Sequence, residues 1–311
     1  MDVMNRVIRR CFQMVDDPAV REHESTLIIK KSGSKPIGNG WLRIFASRGL
    51  CFSHAISYAP RFSRAICVDW SDDLWSDGVL GFETFFDLCN VPMIVPEKFY
   101  QLEISSVVPL SWSNQIDRRA DSKFIYKEAY SCVLAEQDYD AEVLVFSSTG
   151  ERTFYQSSLS LLRVKREFRD LIVAELKKFA KFRTVVHLRG TDRNGPTAHD
   201  AYLEKLTEKM DDVSNDEPLL VVTDSLMLFR LFHAKYPEAV LRTPHLDQFT
   251  DALGTHFQSV ASKIDFNLQV LVDFFLIMYA ENCVMDGESL FSNMARFIRG
   301  GDYCDILGYD A

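Results

Sequence analysis

Apolar runs of strand length alternate with amphipathic helical segments along most of the chain. In the first half this pattern predicts a strand at residues 41–46, a helix at 52–59, and strands at 65–70 and 142–147. Buried apolar strands that alternate with helices are typical of parallel sheets, because the crossover helices cover both faces. The order of elements therefore predicts a Rossmann-like domain over residues 1–157.

The second half repeats the alternation over residues 158–311. Its predicted elements are, in order, a helix at 159–182, a strand at 184–188, a helix at 199–210, a strand at 218–223, a helix at 226–235, a strand at 239–242, a helix at 264–279, a strand at 283–285 and a helix that begins within 286–292. This succession predicts a second doubly wound unit. We therefore expect an α/β protein of two Rossmann-like domains.

Composition agrees with a globular protein of this size. A chain of 311 residues with 47% apolar residues can bury two such cores. The formal net charge of -9 argues against a nucleic-acid partner, because phosphates require clustered lysine and arginine. We expect no membrane span, since no apolar run is long enough, and no secretory signal, since residues 1–6 show no basic region followed by an apolar one. Seven scattered cysteines are typical of reduced thiols, so we expect a cytoplasmic protein.

The polar cluster after the strand at 184–188 is the first candidate for chemistry. Residues 184–193 read TVVHLRGTDR, and ligands of open α/β sheets bind at the carboxyl ends of the strands. The guanidinium of Arg189 can hold two phosphate oxygens there, although a solvated strand end is an equal alternative.

Two further polar ends are expected at the same edge of the sheet. Thr223 and Asp224 end the next strand, and Ser289 stands at the start of the last helix. The free N–H groups of that helix start suit either an anion or an ordinary cap by Ser289. An arginine, hydroxyl groups and a helix start together are what a diphosphate leaving group requires, which favours a nucleotide-sugar transferase.

Asp273 is conspicuous because the helix at 264–279 is otherwise apolar. A buried carboxylate needs a partner, either a side chain or a ligand. In the first half, Asp69 lies at the end of a predicted strand and Asp72 follows it, and the pattern does not decide between structural and functional roles for them. The single Gly49 is not the dinucleotide fingerprint, so the sequence does not support NAD binding.

Residues 187–192, which read HLRGTD, resemble the His-x-Arg-x-Thr-Asp motif of the GDP-fucose-dependent fucosyltransferase superfamily. This superfamily includes α-1,6-fucosyltransferases, nodulation fucosyltransferases and protein O-fucosyltransferases. The resemblance continues in motif order through Thr223 and Asp224 to residues 289–295. In the first half it is weaker, at Gly49 and at residues 68–70 and 85–87.

The resemblance implies a GT-B-type fold, in which two Rossmann-like domains face a cleft. The first domain would be on the acceptor side and the second would bind the nucleotide sugar. It further implies a GDP-linked donor, with fucose as the expected sugar, a glycan or other hydroxyl acceptor, inversion at the anomeric carbon, and neither a divalent metal nor a cofactor.

By motif position, the resemblance implies that Arg189 is catalytic and holds the β-phosphate as GDP leaves. The donor-binding positions that it implies are His187 and Asp273 at the guanine, Ser289 at a phosphate with Ser292 in the same segment, and Asp192 and Asp224 as acidic residues of the site. A guanine presents N1–H and N2–H₂ donors, which a carboxylate can accept as a pair.

The sequence departs from the family pattern at Gly190, where α-1,6-fucosyltransferases have a second arginine. Either Arg193 substitutes for it, or the chain resembles the branches with a single arginine. The base for the acceptor hydroxyl is open between three residues, Asp72, Glu83 and His256, and a strongly dissociative transition state would need no strong base. The alternative function is a non-catalytic module of the same fold that binds a nucleotide or a sugar.

Overall fold

The computed structural model describes residues 26–30, 50–69, 81–89, 91–113, 137–146, 161–190, 199–210, 218–242, 262–285 and 289–299. Contacts divide the chain into two compact units, which meet in sequence between Arg166 and Glu167. The predicted domain boundary at residues 157 and 158 lies outside the described residues. Within the described ranges, none of the helices has both the length and the apolar character that a bilayer crossing needs.

The first unit contains a four-stranded parallel sheet in the order β2-β1-β5-β4. Its elements are β1 (Thr26–Lys30), α1 (Leu50–Arg61), β2 (Ala65–Asp69), α2 (Phe82–Phe85), β3 (Phe86–Leu88), α3 (Pro96–Phe99), β4 (Val107–Val108), a 3-10 helix (Leu110–Trp112), β5 (Val143–Phe146) and β6 (Leu162–Val164). The predicted α1, β2 and β5 are confirmed. The central strand β1 was not predicted, and the strand predicted at 41–46 lies outside the described residues.

The core of the first unit is aromatic as well as aliphatic. Phe82, Phe85 and Phe86 are buried, as expected for core side chains. Cys67 of β2 and Val143 and Val145 of β5 pack in one cluster with residues of α3, β4 and the 3-10 helix. Residues of β2 and β5 are buried on both faces of the sheet, and this burial of apolar surface stabilises strands of only a few residues.

The second unit contains another four-stranded parallel sheet, in the order β10-β7-β8-β9. Its elements are α4 (Arg166–Lys178), β7 (Thr184–Leu188), α5 (His199–Glu208), β8 (Leu219–Thr223), α6 (Leu226–Lys235), β9 (Val240–Leu241), α7 (Lys263–Tyr279), β10 (Asn282–Met285) and α8 (Leu290–Arg299). The predicted strands and helices from β7 onward are confirmed to within a few residues at their ends.

The helix predicted at 159–182 is wrong at its start. Leu162–Val164 is strand β6, which pairs antiparallel with β3, and the helix runs only over Arg166–Lys178. Leu162 and Val164 are buried while Arg163 between them is partly exposed, which is the period of a strand. The distant pairing partner decided the conformation, and a local pattern does not contain that partner.

The two faces of the second sheet carry different helices. The face that includes Val186 and Leu188 packs on α5 and α6, through Tyr202, Leu203, Leu206, Leu228 and Phe232. Because side chains alternate along a strand, His187 lies on the opposite face. There its ring is 5.8 Å from the ring of Phe291 in α8, and Phe291 in turn contacts Phe274 of α7. His187 is thus held beneath α7 and α8.

Candidate functional site

The second sheet has a topological switch point between β7 and β10. From β7 the chain moves outward through β8 to β9, and then returns through α7 to place β10 on the other side of β7. His187 is level with Met285 of β10, and Leu188 is level with Thr223 of β8. Ligands of open α/β sheets bind where the strand order reverses, at the carboxyl ends of the strands. The carboxyl ends of β7, β8 and β10 therefore lie at one edge of the sheet.

The backbone that follows β7 is fixed by three side chains, Tyr202, Asp224 and His199, which we call the Arg189 clamp. The Arg189 N–H donates to the Tyr202 hydroxyl at 3.0 Å, and the Gly190 N–H donates to Asp224 Oδ1 at 2.7 Å. The His199 Nε2 is 3.4 Å from the Gly190 carbonyl oxygen. Bonds to both N–H groups and to a carbonyl leave this turn little freedom, which orients the Arg189 side chain.

The guanidinium of Arg189 is paired with the clamp as well. Its Nη1 lies 3.3 Å from Asp224 Oδ2, and its side chain is 26% exposed, against 10% for Asp224. A guanidinium has five N–H donors, so it can contact a carboxylate along one edge and phosphate oxygens along another. The arrangement presents an oriented cation whose charge is partly balanced before a ligand arrives.

Asp224 is itself held between the end of β8 and the start of α6. Ser225 is the N-cap of α6, because its Oγ accepts from the Leu228 N–H at 3.1 Å. The Ser225 N–H donates to Thr223 Oγ1 at 3.1 Å. Hydrogen bonds on both sides of Asp224 therefore fix the carboxylate that orients Arg189.

Gly190 lies too close to α6 to carry a side chain. A β carbon built there would be 2.6 Å from the Ser225 Cβ, 3.1 Å from the Leu228 Cδ2 and 3.2 Å from the Ser225 Oγ. The nearest of these atoms belongs to the cap itself and not to the far end of a flexible chain. The close approach is a physical reason for a glycine at position 190 of this chain.

The start of α8 is buried beside this edge. Ser289 is 3% exposed, and its carbonyl accepts from the Asn293 N–H at 3.0 Å as the first turn of the helix forms. The fully buried Ser292 directs its hydroxyl to the same carbonyl at 3.5 Å. Residues 286–288, which link β10 to this start, lie outside the described residues. The phosphate roles of Ser289 and Ser292 stay predictions.

Asp273 has a protein partner, Arg242, which directly follows β9. The Arg242 Nε is 3.8 Å from Asp273 Oδ1, and both side chains are largely buried, at 2% and 10% exposure. The two partners that the sequence left open for this carboxylate were a side chain and a ligand, and a side chain is present. The guanine contact of Asp273 stays a prediction.

Among the three candidate bases, the structure describes Glu83, which lies in α2 of the first unit. Burial raises the pKa of the Glu83 carboxyl above its ordinary value. Glu97 and Asp69 raise this pKa further, whereas a backbone hydrogen bond and the Lys165 charge oppose the shift. Asp69 also accepts a hydrogen bond from the Tyr100 hydroxyl. Glu83 is therefore one of several acids grouped near the end of β2.

Several other predicted positions lie outside the described residues, namely Asp72, His256, Asp192 and Arg193. Cys67, Cys89 and Cys283 are not joined in disulfide bonds. Over the described ranges, no group of three His, Cys, Asp or Glu side chains has an arrangement that could hold a metal ion.

Sequence reasoning missed three residues that support this edge, Tyr202, His199 and Arg242. Tyr202 lies in the helix predicted at 199–210, and it was a usable signal because a buried tyrosine hydroxyl usually has a hydrogen-bond partner. Arg242 was assigned as the last residue of a strand. An arginine at the end of an apolar edge strand gave no sign of the acid that it would meet.

Solved structures similar to this chain are fucosyltransferases. Fucosyltransferase NodZ from Bradyrhizobium superposes with a TM-score of 0.62 at 18% identity, over 88% of this chain and 92% of that one. NodZ alpha-1,6-fucosyltransferase co-crystallized with GDP gives 0.61, and the same enzyme soaked with GDP-fucose gives 0.59, at the same identity and coverage.

No protein-family model matches the sequence, and no curated protein sequence matches it. The structural likeness covers most of both chains although the identity is low, so the fold is shared while most side chains differ. At the level of the fold, the chain therefore has the α/β architecture of the fucosyltransferases that its sequence motifs resemble.

Proposed function

We propose that the chain is a glycosyltransferase of the GT-B type, which transfers a sugar from a GDP-sugar to a hydroxyl group of a glycan or another acceptor. We assign fucose as the sugar. The observation that carries the proposal is the orientation of Arg189 by the Arg189 clamp at the switch point between β7 and β10. The fold likeness to an enzyme solved with GDP and with GDP-fucose supports this donor over other anionic ligands.

In the proposed reaction, the acceptor oxygen attacks the anomeric carbon from the side opposite to GDP. The bond between this carbon and the β-phosphate oxygen breaks, and its electron pair stays on the phosphate, so the configuration inverts. Negative charge then grows on the β-phosphate, where Arg189 and the N–H groups at the start of α8 beside Ser289 stabilise it. The proposal requires no metal ion for this step.

The proton of the acceptor hydroxyl must leave as the new bond forms. Glu83, Asp72 and His256 stay the candidates for its acceptor. The raised pKa of Glu83, caused by burial, makes its carboxylate a stronger proton acceptor than an ordinary glutamate. If bond breaking runs ahead of bond making, a weak base is sufficient.

Recognition of the guanine ring of the donor is assigned to His187 and Asp273, on the face of the sheet that α7 and α8 cover. A carboxylate accepts the N1–H and N2–H₂ of guanine as a pair, whereas uracil and adenine do not present this pair of donors. Asp192 and Asp224 are assigned as acids of the donor site, with Asp224 acting through Arg189.

The direct test is donor turnover. The chain is incubated with GDP-fucose or GDP-mannose and a panel of glycan and peptide acceptors, and released GDP is measured. Arg189→Ala should lower turnover by about 100- to 1,000-fold, the usual effect of removing one donor to a developing anion. The matched control is Arg183→Ala. Arg183 precedes β7 at the other end of the strand and pairs with Glu281 at an exposed position, so its loss should leave turnover unchanged.

The outcomes separate the alternatives. GDP release that depends on Arg189 and on an acceptor supports the transferase. Tight GDP binding without release from either donor would instead identify a non-catalytic binding module. If Arg189→Ala and Arg183→Ala reduce turnover equally, the assignment of Arg189 is wrong.

A further inference from the structure

Arg242 is a buried cation whose backbone belongs to the edge of the second sheet. Its N–H donates to the Val221 carbonyl at 2.8 Å, which extends the pairing of β9 with β8 by one hydrogen bond. By the alternation of the strand, its side chain lies on the face that carries Leu220 and His187. The side chain is only 2% exposed, so its charge must be compensated within the protein.

The groups around Arg242 come from α7, which carries Gln269 and Asp273, and from Phe179, which directly follows α4. The guanidinium carbon lies 5.1 Å from the centre of the Phe179 ring, and Nη2 donates to Gln269 Oε1 at 2.9 Å. Nε has no hydrogen-bond partner among the described residues, and Asp273 Oδ1 lies 3.8 Å from it. Arg242 is therefore anchored by a ring and an amide, while its Nε is turned toward a carboxylate.

A second carboxylate, Glu175, is a poorer partner for Arg242. Its Oε2 is 4.0 Å from Nη2, its side chain is more exposed at 27%, and its other oxygen contacts the ammonium group of Lys178. Attraction between charges is strongest where both are removed from water. Asp273 is therefore the main counter-ion of Arg242.

We propose that Arg242 is a positioning residue, which keeps the Asp273 carboxylate ionised and oriented so that it can accept the two donors of a guanine base. This inference rests on the proposed function. A separation of 3.8 Å is longer than a hydrogen bond, so this ion pair does not itself use an acceptor position of the carboxylate. Without the cation, burial would favour the protonated acid, whose O–H opposes the guanine donors.

The test compares GDP with IDP, which lacks the 2-amino group, by isothermal titration calorimetry. A hydrogen bond to a charged acceptor makes GDP bind about 10- to 100-fold more tightly than IDP to the wild-type protein. Arg242→Met should bring this ratio close to one and weaken IDP binding much less than GDP binding. Arg242→Lys, which keeps the charge, should retain most of the ratio.

Glu175→Gln is the matched control, because it removes the other carboxylate beside Arg242 and leaves Asp273 untouched. It should keep the wild-type ratio. A role of Arg242 in packing alone would lower both affinities by the same factor, and that result would overturn the inference. If Arg242→Met does not fold, Arg242→Lys decides: a folded Lys variant that has lost the ratio overturns the inference, and one that keeps it supports the inference.

The same titrations separate this inference from the proposed function. A wild-type protein that binds neither nucleotide, or binds both equally, contradicts the guanine assignment and the inference together. A wild-type protein that prefers GDP, combined with an Arg242→Met variant that prefers it equally, contradicts only the role of Arg242.

Discussion

Substituting alanine for Gly190 should strain the turn that carries Arg189. The new Cβ would stand 2.6 Å from the Ser225 Cβ, whereas carbon atoms in contact are normally about 3.5–4.0 Å apart. The turn and the start of α6 must therefore separate by roughly 1 Å. The Gly190 N–H, which donates to Asp224 at 2.7 Å, would move with it. We expect the variant to be less stable than the wild type, and Arg189 to lose its orientation.

The magnitude follows from two opposing effects. Overpacking of a well-packed site costs about 1–3 kcal/mol. A change from glycine to alanine also restricts the unfolded chain, which stabilises the folded protein by about 0.4–1 kcal/mol. The first effect is larger, so Gly190→Ala should destabilise the protein by roughly 1–2 kcal/mol.

A double-mutant cycle with Ser225→Gly isolates the contact. Ser225→Gly removes both Cβ and Oγ, so the remaining close neighbour of the new methyl group is the flexible end of Leu228, at 3.1 Å. Ser225→Gly alone should cost a few tenths of a kcal/mol as a changed cap. The double variant should be more stable than the sum of the single effects predicts, by about 1 kcal/mol.

Urea unfolding of the four proteins gives the required free energies. Effects that add within about 0.5 kcal/mol would refute the proposed clash. A Gly190→Ala variant that is more stable than the wild type would also refute it. A relaxed double variant that regains turnover would link the clash to the position of Arg189.

Two further predictions concern Tyr202 of the Arg189 clamp and Glu83 of the first unit. Tyr202→Phe removes the hydroxyl that accepts from the Arg189 N–H, so it should cost about 1–3 kcal/mol in urea unfolding and lower turnover; an unchanged stability would mean that this bond contributes nothing. Glu83→Gln should stabilise the protein at about pH 8 and not at about pH 4, as measured by urea unfolding at both values. The native state keeps the proton of Glu83 to a higher pH than the unfolded chain, so wild-type stability falls as pH rises between the two pKa values. A stability difference that is the same at both pH values would contradict this.

The second sheet was readable from the sequence because each of its main strands is an apolar run that ends in polar residues. The burial of all five residues of β7 and of β8 is what such runs predict. Ser225 was equally readable, since a serine before an apolar helix has one common structural role. The polar ends could be expected to meet, because parallel strands share a carboxyl edge.

The strands β1 and β6 were not readable for a different reason. Thr26–Lys30 and Leu162–Val164 are short, and their conformation depends on partners that are remote in sequence. A helical pattern across Leu162 also overlapped the strand pattern, and the pairing with β3 decided between them. Local periodicity cannot supply such information.

The supporting contacts of the site were the least predictable. The need for glycine at position 190 arises from a close approach of the turn to the side chain of Ser225, which sequence spacing does not encode. The sequence predicted that Asp273 has a partner, since the charge of a buried carboxylate requires one. That this partner is Arg242 depended on how β9 and α7 pack, because Arg242 comes 31 residues before Asp273 in the chain.

The measurement that tests the central claim most directly is calorimetric titration of the wild-type chain with GDP, UDP and ADP. Paired hydrogen bonds from guanine to a buried carboxylate predict that GDP binds about 10- to 100-fold more tightly than either of the others. Binding of all three nucleotides with equal affinity, or no binding of GDP, would contradict the assignment of this chain as a GDP-sugar transferase.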